Sequence, residues 1–215
     1  MKRLSKYAFQ RLLSASARFF STVLSPILAP TFGAFLSLWT SVLCLLPGGT
    51  RVTVLVMILG ITGILPLIAI GVLQHFGVIT GKNLVRRQER HLPYLVGIAC
   101  YVGATLYLRH IHSPEWFVMF MAGGAVACTI CAAVNTVWKI SAHMAGMGGL
   151  VALLFQIHVQ GLSAFNLFWI INATILLAGV LGTSRMILRR HTIMQVLTGF
   201  AVGYAAVTIA IKYFS

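Results

Sequence analysis

The chain has no aspartate, and its only glutamates are Glu89 and Glu115. So thin a supply of carboxylates excludes the reactions that need two of them: paired-carboxylate glycoside hydrolysis, aspartic proteolysis, and magnesium chemistry on several carboxylate ligands. Any catalysis falls to His, Ser, Cys, Tyr, Lys or Arg. Charge of either sign is scarce, at 8% of residues, where soluble domains carry about 25%. Hydrophobic residues make up 59% of the chain and the mean hydropathy is +0.95. A surface with so few charges cannot be mostly wetted, so the solvent around it is lipid. At 215 residues this is one membrane domain with short loops rather than several modules.

Cysteine is sparse as well, with Cys44, Cys100, Cys128 and Cys131 all inside apolar stretches. Cys128 and Cys131 make a C-x-x-C pair, a spacing used in redox and zinc sites. No second pair or nearby histidine completes a zinc site, and buried cysteine packs as a small hydrophobe, so these residues are assigned to packing.

The apolar runs predict an all-α polytopic membrane bundle of six to seven transmembrane helices. A span needs about 20 residues to cross roughly 30 Å of hydrocarbon. Stretches of that kind fall at 27–46, 52–74, 93–109, 116–137, 144–160, 164–183 and 193–211. Residues 1–25 precede them as a basic amphipathic segment, with Lys2, Arg3, Lys6, Arg11 and Arg18 among Tyr7, Phe9, Leu12, Leu13, Phe19 and Phe20. This pattern suits a helix lying on the membrane surface. Arg11 and Arg18 interrupt the place where a signal peptide's apolar core would be. Residues 26–215 form the transmembrane domain. Gly199 and Gly203 have the G-x-x-x-G spacing, and Gly146, Gly148 and Gly149 cluster early in another span, which reads as close helix packing.

Sixteen Lys and Arg against two acids give a net charge of +14. In a soluble chain that balance points to nucleic acid. Here the cations sit in short loops, so membrane lipids and phosphorylated lipids are the expected partners and nucleic acid is not. With seven spans, 13 of the 16 cations fall on the face that also holds the N-terminal segment and the loops 75–92, 138–143 and 184–192. By the positive-inside rule that face is cytoplasmic. The oligomeric state is left open, a homo-oligomer included.

Three breaks on that face carry residues suited to phosphate. The first holds Lys82, Arg86, Arg87, Glu89, Arg90, His91 and Pro93. The second reads Lys139-Ile140-Ser141-Ala142-His143. The third reads Ser184-Arg185, five residues, His191, three residues, Gln195. Guanidinium forks and serine hydroxyls bind phosphate oxygens. One histidine can attack phosphorus while a second protonates the departing oxygen. Each residue also has a plainer reading. Loop cations anchor headgroups, Ser141 caps the helix it precedes, and His75, His91, His110, His112 and His158 are polar residues at span ends.

In this order the three segments resemble the signature of the type 2 phosphatidic-acid phosphatase superfamily, which also holds the vanadium haloperoxidases. That signature runs Lys-x6-Arg-Pro, Pro-Ser-Gly-His and Ser-Arg-x5-His-x3-Asp. The match covers roughly residues 82–203, and the stretch from His191 through Gln195 and Val196 to Gly199 and Gly203 looks like a bacterial membrane subgroup. The resemblance implies a metal-free, cofactor-free phosphatase in the bacterial plasma membrane, acting on a lipid phosphate. It implies His191 as the nucleophile, His143 as the acid, and Arg185, Ser141, Lys139, Arg87 and Arg90 as phosphate ligands. The sequence departs from the signature in each motif and in topology. Gln195 stands where the family has aspartate, Ile140 and Ala142 replace proline and glycine, Glu89 rather than Arg lies seven residues beyond Lys82, Pro93 lies three beyond Arg90, and two apolar spans separate the first and second segments where many members have only a loop. At i+4, Gln195 shares a helix face with His191, so its amide oxygen can accept an imidazole N–H. Three functions stay open: a hydrolase, a weakened or inactive relative that binds or moves phosphorylated lipids, and a lipid phosphotransferase. A channel or transporter fits least, because no ionisable residue clearly lies mid-span.

Overall fold

The computed structural model describes residues 2–77 and 91–215, with side chains from residue 10 onward. Among the described residues the architecture is all-helical, with one isolated bridge between Ser41 and Ser163. Helix α1 (Lys2–Val23) is the basic amphipathic segment, and α2 (Ala29–Thr40) follows it. The remaining helices are α3 (Gly48–Leu59), α4 (Leu65–His75), α5 (His91–His110), α6 (Glu115–Val137), α7 (Ala142–Val159), α8 (Phe168–Ile187) and α9 (Ile193–Phe214). Among the described residues six stretches are long and apolar enough to cross a membrane, and α3 and α4 count together as one of them, Gly48–His75. The chain is a multi-pass membrane protein.

The expected span at 27–46 needs correction. Its helix is only the 12 residues of α2, with Pro30 in its first turn, and a 3₁₀ turn over Val42–Leu45 follows. The break falls at Ser41, whose hydroxyl bonds back to the Ser37 carbonyl and accepts from the Leu43 amide. At 1.5 Å per residue α2 is about 18 Å long, short of a full crossing. The chain nevertheless passes from one end of the bundle to the other here. Ala29 lies against Gly146 near the start of α7, and Val42 bonds the carbonyl of Leu162, beyond the end of α7.

The helix ends follow from local chemistry. Pro47 and Pro114 sit in extended conformation immediately before α3 and α6. Between α3 and α4 the chain widens into a π-turn over Gly60–Ile64. There Pro66, which has no N–H to donate, enters a continuous span without breaking it. Helices α5 and α7 end with left-handed residues, His112 (φ 53°) and Gly161 (φ 68°). Their following amides reach back five residues to Leu108 and Ile157, which satisfies carbonyls left over at the helix end.

Helix α7 is the innermost, with Ala152, Leu153 and Leu154 fully buried. It crosses α9 at backbone contact. A Cβ on Gly203 would collide with the carbonyl of Ala145, one on Gly148 with the carbonyl of Phe200, and one on Gly199 would sit 2.5 Å from the carbonyl of Ser141. The glycines therefore serve packing, as their spacing predicts. Outward-facing Leu67, Leu106 and Leu176 are more than half exposed on spanning helices, which suits a lipid surround.

Candidate functional site

The third segment is built by one turn. Helix α8 ends with the Arg189 amide bonded to Met186 and the Arg190 amide bonded to Arg185, around Arg189 at φ 51°. This left-handed closure stops the helix and turns the chain so that α9 begins at Ile193. Thr192 takes the N-cap position, and its amide donates to Gln195 Oε1 at 3.2 Å. His191, just before the cap, is buried. Its Nδ1 lies 3.1 Å from the same Oε1. Because the Thr192 amide can only donate, it fixes Oε1 as the acceptor. Nδ1 of His191 must then carry the proton, and Nε2 becomes the lone-pair nitrogen of the neutral ring.

The second segment meets the third through the backbone: the Ser141 amide donates to the Gln195 carbonyl at 3.3 Å. The close crossing at Gly199 allows this approach. Ser141 occupies the N-cap position of α7, yet its hydroxyl makes no cap bond. The residue is fully buried and its Oγ has no hydrogen-bond partner among the described residues. Burying a hydroxyl unpaired costs about 1–3 kcal/mol, and native structures rarely tolerate this without a reason. Capping explains the place of Ser141 in the chain but not its side chain. Half-buried Lys139 lies two residues earlier on the same connection.

His143 and Arg185 are joined by a residue that sequence reasoning missed. His143 Nε2 donates to the carbonyl of Ser21 at 3.0 Å, and Arg185 Nη1 donates to the Ser21 hydroxyl at 2.6 Å. Ser21 is buried in the last turns of α1, one helical turn beyond buried Ala17, on the face that packs against α8. The sequence offers no signal that singles it out, because α1 also carries Ser5, Ser14, Ser16 and Thr22 and only the packing against α8 distinguishes Ser21.

Five of the expected residues thus fall on two connected threads. One runs from His191 through Gln195 to Ser141, and the other from His143 through Ser21 to Arg185. They meet at the start of α7, where Ser141 and His143 are two residues apart. Arg87 and Arg90, with Lys82, Arg86 and Glu89, lie outside the described residues. The only carboxylate side chain among the described residues is Glu115, paired with Arg109 at 2.7 Å on the connection between α5 and α6. No described acid side chain therefore competes with an anion for Arg185.

His143 and Arg185 also form part of the wall of a cavity of 280 Å³. Most of the remaining wall is apolar and includes Pro26, Pro30, Pro66, Tyr101 and Ala127. Cys100, Cys128 and Cys131 line it as free thiols, which extends their expected packing role. The volume lies near the lower end of small-molecule pockets, about 300–1,000 Å³. The span-end histidines His75, His110, His112 and His158 are exposed and stay outside this cluster. No protein-family model, curated protein or solved structure matches the chain.

Proposed function

We propose that this protein is an integral membrane phosphatase that hydrolyses a lipid phosphate through a phospho-histidine. The observation that carries the reading is the cavity, in which apolar walls end on the arginine and histidine of the same cluster. A ligand matched to it has an aliphatic chain and an anionic head, as a phosphatidate or a polyprenyl phosphate does. Ser141 adds a buried hydroxyl suited to one of the head's oxygens.

In the first step His191 Nε2 attacks phosphorus, a P–N bond forms, and the P–O bond to the lipid alcohol breaks. His143 acts as the imidazolium: its Nε2–H stays on the Ser21 carbonyl and its Nδ1 proton passes to the departing oxygen. Water then attacks phosphorus and returns a proton to His143 Nδ1, the P–N bond breaks with its electron pair going back to His191 Nε2, and inorganic phosphate leaves. Arg185, Ser141 and Lys139, with Arg87 and Arg90, hold the oxygens and offset the charge that builds on them. Gln195 holds the nucleophile's tautomer. As a neutral amide it stabilises the cationic ring formed during attack less than a carboxylate would.

The test is phosphate release from short-chain phosphatidate or isoprenyl diphosphate by purified protein. His191→Ala abolishes release; full turnover by that variant refutes the assignment. Gln195 favours one alternative, a lipid-phosphate binder without hydrolysis. Gln195→Asp separates the two, because a large gain in turnover marks a hydrolase and continued silence with intact binding marks a binder. Added acceptor alcohols reveal a phosphotransferase as a new phosphoester. We place the cluster on the cytoplasmic face of the plasma membrane, where the cations are concentrated. A cysteine introduced at exposed Arg189 then reacts with an impermeant maleimide only after the cells are opened.

A further inference from the structure

Helix α1 has so far been a membrane-surface element with no chemical task. Its last turns place Ser21 between the two groups that face the cavity, and both contacts are specific. The carbonyl belongs to the final four of the helix, beyond the reach of the helix's own amides. His143 Nε2 satisfies it at 3.0 Å. A carbonyl only accepts, so this bond puts a proton on Nε2 and fixes the ring plane of His143. The hydroxyl accepts from Arg185 Nη1 at 2.6 Å, a short charge-assisted bond. Ser21 Oγ also lies 3.5 Å from His143 Nε2, so one buried residue spans the two groups.

We propose that Ser21 is a positioning residue of the phosphate site, and that α1 is thereby a working part of the site. This rests on the lipid-phosphatase reading above. Arg185 comes from the end of a helix whose side chains are long and jointed, and a guanidinium serves a phosphate only when its fork is held at one angle. The Ser21 hydroxyl holds it by accepting from Nη1. The carbonyl does for His143 what Gln195 does for His191. Each histidine thus bonds a neutral oxygen, the Ser21 carbonyl for His143 and the Gln195 amide oxygen for His191.

The other side of α1 explains how the part is held in place. Arg11, Arg18, Leu12 and Phe19 are exposed there. That combination suits the headgroup boundary of an anionic leaflet. Ala17 and Ser21 face α8, so the helix rests between lipid and protein with its last turns over the site.

The experiment compares Ser21→Ala and Ser21→Thr in the full-length protein, in detergent and in vesicles. Turnover of short-chain phosphatidate is followed, and its binding is measured by the shift in melting temperature. Ser21→Ala keeps the carbonyl and loses the hydroxyl. KM, or the dissociation constant where turnover is low, rises about tenfold, as expected for one hydrogen bond to a charged group, while kcat changes little. Ser21→Thr restores the wild-type value. A packing role predicts the reverse order, since threonine overfills a buried site that alanine fits. Ser21→Cys, close in size but a weak acceptor, gives the alanine result if the alanine variant does not fold. Wild-type affinity in Ser21→Ala, or equal loss in both variants, overturns the inference and leaves the phosphatase reading standing. A gain in turnover also overturns it, because Ser21 would then be competing with the substrate. A wild-type protein that neither binds nor hydrolyses short-chain phosphatidate overturns both.

Discussion

Gly199→Ala tests whether the α7–α9 crossing assembles the site. A Cβ at this position falls 2.5 Å from the carbonyl oxygen of Ser141 and 3.3 Å from the Cβ of Met144. Neither neighbour is the far end of a flexible side chain, so α7 and α9 must part by at least about 0.5 Å, in an interior packed like a crystal. Overpacking of this kind costs about 1–3 kcal/mol. The Ser141 amide already stands 3.3 Å from the Gln195 carbonyl. Parting the helices by that amount takes the bond beyond hydrogen-bonding range and removes a further 0.5–1.5 kcal/mol or so. The expected total is about 2–4 kcal/mol, read as a fall in melting temperature in detergent. Phosphate release should fall further than stability alone explains, because Ser141 and Gln195 lose their common register. Gly179→Ala is the control: nothing lies within 4 Å of its Cβ, and it faces outward on α8. It should leave activity unchanged and gain up to about 1 kcal/mol of helix propensity. If Gly199→Ala melts and turns over like Gly179→Ala, the crossing does not set the site.

Two further outcomes follow from particular residues. Arg189 holds a left-handed conformation that favours glycine, so Arg189→Gly should raise the melting temperature by the equivalent of about 1 kcal/mol. Turnover should be unchanged, since the exposed side chain has no place in the cluster; a lower melting temperature contradicts the strain argument. Ala127 is buried in the cavity wall. Ala127→Phe should reduce turnover of long-chain lipid phosphates more than tenfold, while a short soluble phosphomonoester is hydrolysed at the wild-type rate, because a filled cavity excludes the chain but not the head. Equal effects on both substrates would remove the cavity from the mechanism.

The sequence made the spanning helices legible because lipid imposes a simple rule, about 20 apolar residues per crossing. The rule failed at 27–46. Hydropathy there is high enough, but Pro30 and the side-chain-to-backbone bonds at Ser41 limit the helix to 12 residues. Hydropathy does not register such bonds. The pairing of His191 with Gln195 was legible but its cause was not: the i+4 argument assumed one helix, whereas His191 precedes the Thr192 N-cap and Gln195 reaches it by folding back from the third residue of α9. Residue type picked out Ser141 and Arg185, which the structure places on the two threads. That Ser141 would take the cap position yet make no cap bond was not legible, because this depends on how α7 meets α9. The charge count could place three breaks on one face, but it could not tell which side chains meet there.

Ser21 marks the limit most sharply. It is 122 residues from His143 and 164 from Arg185, and no motif contains it. What selects it is a packing requirement. Arg185 needs an acceptor, and a carboxylate beside it would repel the phosphate that the site is built to hold. A serine hydroxyl and a helix-end carbonyl can orient a guanidinium and an imidazole while adding no net charge. Among the described residues, neutral oxygens of Ser21 and Gln195 bond Arg185, His143 and His191, and such an acceptor orients a cationic or imidazole side chain without setting a negative charge of its own beside a phosphate.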